Sequence, residues 1–344
     1  MMKPCCRLAA LLLAAVCALS GCAGKADGEP SVAAPAEAER LVIYTSHKEE
    51  VWRPIVREFE ERTGIWVDVV TGGTNELLER IKWEADAPTA DVMFGGGVES
   101  LQSYAQYFSP YVCAEHDRLA PQYCDADNRW TPFSALPVVL IYNPKLVTPG
   151  ELTGWESLLS GEFRGRIAYA DPAVSGSCYT ALVTMLCALD APQEQTLQRF
   201  AENLGGRLLS GSGDILDSVA DGTDRVGITL EETARKRIDT GENLRMIYPV
   251  EGTSAVPDGC AVIRDARHEE NAQKFINFAV SRDVQSLLQE KEFSRRCVRT
   301  DIEPSTQLVR LDKLELLDYD VAWASREHEA ILELWQRFLP KEES

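Results

Sequence analysis

Three short runs of small residues, Thr45-Ser46, Gly72-Gly73-Thr74 and Gly95-Gly96-Gly97, each follow directly on an apolar stretch. A fourth, Ser175-Gly176-Ser177, precedes one. Small residues let the backbone approach a ligand, and the start of a helix offers unsatisfied N–H groups and the positive end of its dipole to an anion. At Ser175, Gly176 and Ser177 two hydroxyls join those N–H groups. Helix capping alone would also select a serine there, and glycines also serve as turn formers. The recurrence of the pattern over three successive loops favours a ligand site. Glu231 ends the apolar stretch 225–230. A carboxylate there accepts ligand hydroxyls or an amine, or else is a solvated glutamate at a helix start, where the dipole favours it. The candidate ligand-binding residues are therefore Ser46, Gly73, Thr74, Gly96, Ser175, Gly176, Ser177 and Glu231, with a further small-residue loop at 208–213.

Catalytic and metal chemistry find little support. There is no Gly-x-Ser-x-Gly elbow and no His-Glu-x-x-His, and the four histidines, His47, His116, His268 and His328, stand far apart. No cysteine pair has the spacing of a zinc site. The chain thus reads as a non-enzyme with no cofactor and no metal ligands. Six cysteines follow residue 100: Cys113, Cys124, Cys178, Cys187, Cys260 and Cys297. Cys113 and Cys124 bracket a polar loop containing Pro121 and form the favoured disulfide; the other four read as buried thiols.

Lys3 and Arg7 flank the apolar run 8–19, which is short for a membrane span and reads as a secretion signal. It closes on Leu19-Ser20-Gly21-Cys22, small residues before a thiol, the pattern a lipoprotein signal peptidase needs. Residues 1–21 are then the leader, Cys22 the acylated anchor to the cell membrane, and 22–40, rich in Ala, Gly, Pro and Glu, a tether. With 35 basic against 54 acidic residues the formal charge is −19; losing Lys3 and Arg7 brings it to −21, which argues against a nucleic-acid partner.

The elements that must position the loops alternate strand with helix. Residues 41–44 predict a strand and 49–59 a helix, with Ser46 and Glu49 as a capping box and Gly64 as the stop. Residues 65–70 and 90–94 predict the next strands, with a helix over 75–85 between them. The pattern resumes at 166–170, 178–189 and 225–230. Such alternation makes an α/β fold with parallel strands, and ligands bind at the carboxyl ends of those strands. The apolar segment 131–143, interrupted by Pro137, and the segment 251–263 are two crossings between lobes, which make a hinge. Lobe 1 takes 41–135 and 257–300, lobe 2 takes 136–256, and 301–344 is a C-terminal helical segment packed on lobe 2. Each lobe is expected to be a mostly parallel sheet flanked by helices.

In this order, residues 41–46, Gly72-Gly73-Thr74, 90–97, Tyr142-Asn143, 170–180, 226–229 and 252–259, closed by helices at 271–280 and 284–290, resemble extracellular solute-binding proteins of the ferric-ion-binding type. These have the two-lobed type II periplasmic binding fold. The resemblance spans about residues 41–300. It implies a lipoprotein of an ABC transporter, which passes its ligand to a permease with a cytoplasmic ATPase. Iron binders of this type carry two adjacent tyrosines where this chain has Thr229-Leu230-Glu231-Glu232, and none of its ten tyrosines adjoins another. The subgroup without that pair looks like receptors for sugar phosphates, other organophosphates and phosphonates such as 2-aminoethylphosphonate. Its phosphate-facing loops correspond to Ser46, Gly73-Thr74, Gly96 and Ser175-Gly176-Ser177, and its variable polar end to Glu231. The expected function is capture of a small anionic ligand by hinge closure, as a monomer. The alternatives are a ferric-ion receptor, and a sensory protein that presents its ligand to a membrane histidine kinase.

Overall fold

Strand and helix alternate from the start of the described chain, residues 36–339 of the computed structural model. The leader, Cys22 and most of the tether lie outside these residues. The ordered body begins earlier than the expected tether boundary: Glu37–Glu39 form a 3-10 turn, and Asn271 Nδ2 donates to the carbonyls of Ala38 (3.0 Å) and Arg40 (2.8 Å).

β1 (Arg40–Thr45), α1 (Glu49–Thr63), β2 (Trp66–Thr71), α2 (Thr74–Trp83), β3 (Val92–Gly97), α3 (Val98–Ser103) and β4 (Phe108–Ser109) open lobe 1. Helix α1 buries Val51, Ile55, Val56 and Phe59 at helical spacing, and Gly64 ends it at φ 72°, its N–H donating to the Glu60 carbonyl. The capping box expected at Ser46 and Glu49 does not form. The helix starts at Glu49 as expected, but Lys48 and not Ser46 is its N-cap, which leaves Ser46 in the loop.

The chain then runs along β5 (Thr131–Tyr142), enters lobe 2 through α4 (Trp155–Leu159), β6 (Ile167–Ala168), α5 (Gly176–Ala188), α6 (Gln193–Leu204), α7 (Asp214–Ala220), β7 (Val226–Leu230), α8 (Glu231–Asp239) and β8 (Arg245–Ile247), and returns by β9 (Ala255–Ile263). Helices α9 (Glu269–Ala279) and α10 (Arg282–Leu287), strand β10 (Arg296–Cys297) and helices α11 (Val321–Arg326) and α12 (His328–Phe338) follow.

The strand order β2-β1-β3-β9-β5-β7-β6 passes through both lobes. β2, β1 and β3 are parallel, as are β6 and β7, while β9 and β5 run antiparallel to their neighbours. The crossing strands make the sheets mixed. In lobe 2 the antiparallel pairs of β5 with β7 and β8 stand beside the parallel pair. Pro137 marks the place where β5 changes partners: Leu136 and Pro137 pair with Val256 and Ala255, whereas Val138 onward pairs with β7. All of β5 but Tyr142 is buried, so its long apolar run belongs to two cores in succession.

Those cores differ in what completes them. Two clusters cover the faces of the lobe 1 sheet, one built on Phe59, Phe94, Phe133 and Phe275, the other on Leu78, Met93 and Phe108. The lobe 2 cluster surrounds Trp155, Tyr169 and Phe200 and takes in Ala324, Ile331 and Trp335 from the C-terminal segment. Trp335 is fully buried against Phe200, with centroids 5.8 Å apart. The same segment also reaches lobe 1, where Ser325 Oγ lies 3.0 Å from Ser103 Oγ.

Candidate functional site

Thr45 fixes the first loop. Its Oγ1 donates to the Phe94 carbonyl at 2.7 Å and accepts from the His47 N–H at 3.1 Å, so the chain turns over the end of β3 and carries Ser46 with it. Gly96 holds φ 91°, and a Cβ there would lie 2.6 Å from Thr74 Cγ2, so only glycine lets the β3 loop pass beneath the start of α2. On the other lobe Ser175 caps α5, its Oγ accepting from the Cys178 N–H at 3.4 Å and lying 3.2 Å from Ser177 Oγ. The N–H groups of the first helical turn have no intrahelical partner. Asn75 Nδ2 donates to the Ala173 carbonyl at 2.9 Å and ties the α2 end of lobe 1 to the loop before α5.

Between these loops lies a cavity of about 460 Å³, within the range of small-molecule sites. Ser46, Gly73, Thr74 and Gly96 line it from lobe 1 and Ser175, Gly176 and Ser177 from lobe 2, together with the loop 210–213. One donor is already engaged: the Gly73 N–H donates to the Glu76 carboxylate at 3.3 Å.

Glu231 is the exception and a correction. It does not line the cavity. It is 1% exposed, and Arg296 donates to it twice, Nε to Oε2 at 2.6 Å and Nη2 to Oε1 at 2.8 Å, while Tyr248 OH donates to Oε1. β7 ends at Leu230 and α8 begins at Glu231, so consecutive residues here follow a helical turn and point apart. The next residue, Glu232, faces the cavity instead.

Glu232 belongs to a buried charged set that the spacing of residues along the chain does not reveal. Arg295 Nη1 donates to Asp258 Oδ2 at 2.6 Å and Nη2 to Glu232 Oε1 at 3.4 Å, and Lys236 lies 3.3 Å from Glu232 Oε2. Burial raises the Glu232 carboxyl, but Arg295 and Lys236 outweigh it and hold the group below the usual carboxylate range. At Asp258 burial wins over Arg295 and Ser134, and the pKa rises. His47 is pushed well below the ordinary imidazole value, first by burial and then by Arg295, so it is neutral. Its Nε2 makes no hydrogen bond and stands 3.7 Å from Asp258 Oδ2. The cavity thus offers hydroxyls and N–H groups on one side and His47, Glu232, Asp258 and Arg295 on another.

The disulfide expected between Cys113 and Cys124 is not formed. All six described cysteines are free thiols; Cys113 is buried in a lobe 1 core, and Cys124 Sγ turns to the Ala120 carbonyl at 3.6 Å. Among the described residues no group of three or more His, Cys, Asp or Glu side chains is arranged to hold a metal ion, and no helix is long and apolar enough to cross a membrane.

A model of the family described as bacterial extracellular solute-binding protein matches residues 87–313. The chain is 27% identical over 292 residues to iron uptake protein A1 of Synechocystis, covering 80% of each chain. It is 26% identical over 267 residues to a putative 2-aminoethylphosphonate-binding periplasmic protein of Salmonella typhimurium, covering 72% of this chain and 74% of the other. Among solved structures it is similar to the periplasmic binding protein AfuA from Actinobacillus pleuropneumoniae, with fructose-6-phosphate bound. The TM-score is 0.80 at 24% identity, over 87% of this chain and 98% of the other. That likeness is one of fold and carries the two-lobed type II arrangement.

Proposed function

The chain belongs to the bacterial extracellular solute-binding protein family, and from that premise we propose that it captures a small phosphorus-containing anion, an organophosphate, sugar phosphate or phosphonate, for an ABC importer. The observation that carries this reading is the convergence of Ser46, Thr74 and Gly96 from one lobe with Ser175, Gly176 and Ser177 from the other on a single cavity at the start of α2 and α5. Neutral N–H and O–H donors suit a phosphoryl group in a protein of net charge −19, and Lys48, which also lines the cavity, adds a positive charge to that lining. His47, Glu232, Asp258 and Arg295 meet the ligand's other end, taking the role first given to Glu231. The two relatives whose names mention iron and 2-aminoethylphosphonate make ferric ion the competing cargo. The commitment of Glu232 and Asp258 to Arg295 weighs against it.

In this reading the lobes close on the ligand about β5 and β9, and the closed form is presented to a permease with a cytoplasmic ATPase. Acylated Cys22 holds the monomeric receptor at the outer face of the cell membrane, and no catalysis takes place. The test is a thermal melt of ligand-stripped protein against 2-aminoethylphosphonate, fructose 6-phosphate, inorganic phosphate, sulfate and ferric citrate. A compound present at 100 times its dissociation constant adds roughly 2.7 kcal/mol to stability. A shift confined to phosphorus compounds is the expected result; a shift with ferric citrate alone overturns the reading.

A further inference from the structure

Directly behind the cavity wall a carboxyl group lies between the lobes with no cation beside it among the described residues. Glu99, in the first turn of α3 in lobe 1, is 0% exposed. Its Oε1 accepts a hydrogen bond from Thr180 Oγ1 on α5 of lobe 2, and its Oε2 has no hydrogen-bond partner. The carboxylate folds back beneath Gly97, where a Cβ would stand 2.7 Å and 2.9 Å from its two oxygens. Gly97 and Thr180 both line the ligand cavity. Two neighbouring hydroxyls, Ser100 Oγ and Tyr319 OH, are likewise buried without partners.

The groups facing Glu99 do not neutralise it. The phenols of Tyr179 on α5 and Tyr319 ahead of α11 are both pushed up, first by burial and then by Glu99 itself. The charged groups on the other elements packed against α3 are occupied elsewhere: on α2, Glu76 by the Gly73 N–H, Glu79 by Tyr104 and Lys82, and Arg80 by Glu84; on β9, Asp258 by Arg295; and on α11, Arg326 by Glu327. Strand β3 carries no titratable residue. Burial therefore dominates, opposed only by Thr180 and a backbone N–H, and raises the Glu99 carboxyl to about 7.

We infer that Glu99 is a proton site coupled to lobe closure: the closed lobes hold the neutral acid, the open lobes release the carboxylate to water, and closing takes up one proton. The inference rests on hinge closure as read above and is independent of which anion is bound. Its sign follows from linkage. A carboxyl of ordinary value when open and about 7 when closed favours the closed state below pH 7, and that preference is lost as pH rises through 7. Between pH 8 and pH 6 the closing constant increases about tenfold.

Small-angle scattering of the ligand-free full-length protein tests this. For the native chain we expect the radius of gyration to fall from pH 8 to pH 5.5. Glu99→Gln, which mimics the neutral acid, should be compact and independent of pH over that range. Thr180→Val removes the one side-chain donor to the carboxylate and should move the native transition to higher pH. Identical pH behaviour of the native chain and Glu99→Gln, including no change in either, overturns the inference. The same measurement with 2-aminoethylphosphonate or fructose 6-phosphate at pH 8 separates the two readings. Compaction by ligand without a pH effect leaves hinge closure standing and removes the proton site; no compaction by ligand or by pH removes both.

Discussion

Arg296 and Glu231 form a buried two-pronged ion pair, Nε to Oε2 at 2.6 Å and Nη2 to Oε1 at 2.8 Å, that joins β10 to the first residue of α8. The pair connects the strand that edges β5 in lobe 1 with a helix of lobe 2. Removing one partner leaves the other charge buried and alone. We expect Glu231→Ala to destabilise the fold by about 3–5 kcal/mol in chemical denaturation, while the order of preference among phosphate esters stays native. A changed preference with native stability would return Glu231 to the ligand site.

Ser177 lies in the first turn of α5, after the capping serine, so its substitution spares the cap. Ser177→Glu places a fixed carboxylate against the proposed anion. Like charges brought together cost several kcal/mol. Binding of the phosphorus compound found in the melt should weaken by about 100-fold or more, with the unliganded melting temperature nearly unchanged. Native affinity in calorimetry would take α5 out of the site.

His47 gives a pH dependence of the opposite sense to Glu99. Its folded pKa is held below the ordinary 6.5 by burial, so the unfolded chain binds more protons. Its contribution to stability is fully present above pH 6.5 and is lost as pH falls from there. We expect native stability to drop below pH 6.5 by up to about 1.4 kcal/mol per pH unit more than that of His47→Gln. Parallel urea titrations of the two proteins from pH 7.5 to 5 measure the difference; equal slopes would mean that His47 is protonated in the fold.

The strand ends were legible because small residues after apolar runs serve mainly to turn the chain or to admit a ligand, and the loops at Ser46, Thr74, Gly96 and Ser175 do share one cavity. The charged floor was not legible. Asp258 sits within the crossing segment 251–263, with nothing in its spacing to mark it as a site residue, and lies inside β9 at 2% exposure. Arg295 is 63 residues from Glu232 in sequence and meets it only after the chain has crossed back from lobe 2 along β9. The available signal was the pairing of two doubled charges, Glu231-Glu232 and Arg295-Arg296, each beside an apolar residue or a serine. β7 ends at Leu230, as its apolar stretch predicts, but α8 begins at once at Glu231, so a helical turn and not the strand decides which of the two glutamates faces the cavity, and it is Glu232.

The way the two cores are completed has a consequence for how the chain comes to be folded. β3 waits for β9, with Val92 paired to Val262, and the Phe200 and Tyr169 cluster of lobe 2 waits for Trp335. Each lobe is closed by a segment made after the other lobe has been threaded, so neither is finished while synthesis is still passing through residue 250. Such interleaving favours late, joint assembly over domain-by-domain folding, and calorimetry should show one unfolding transition in place of two.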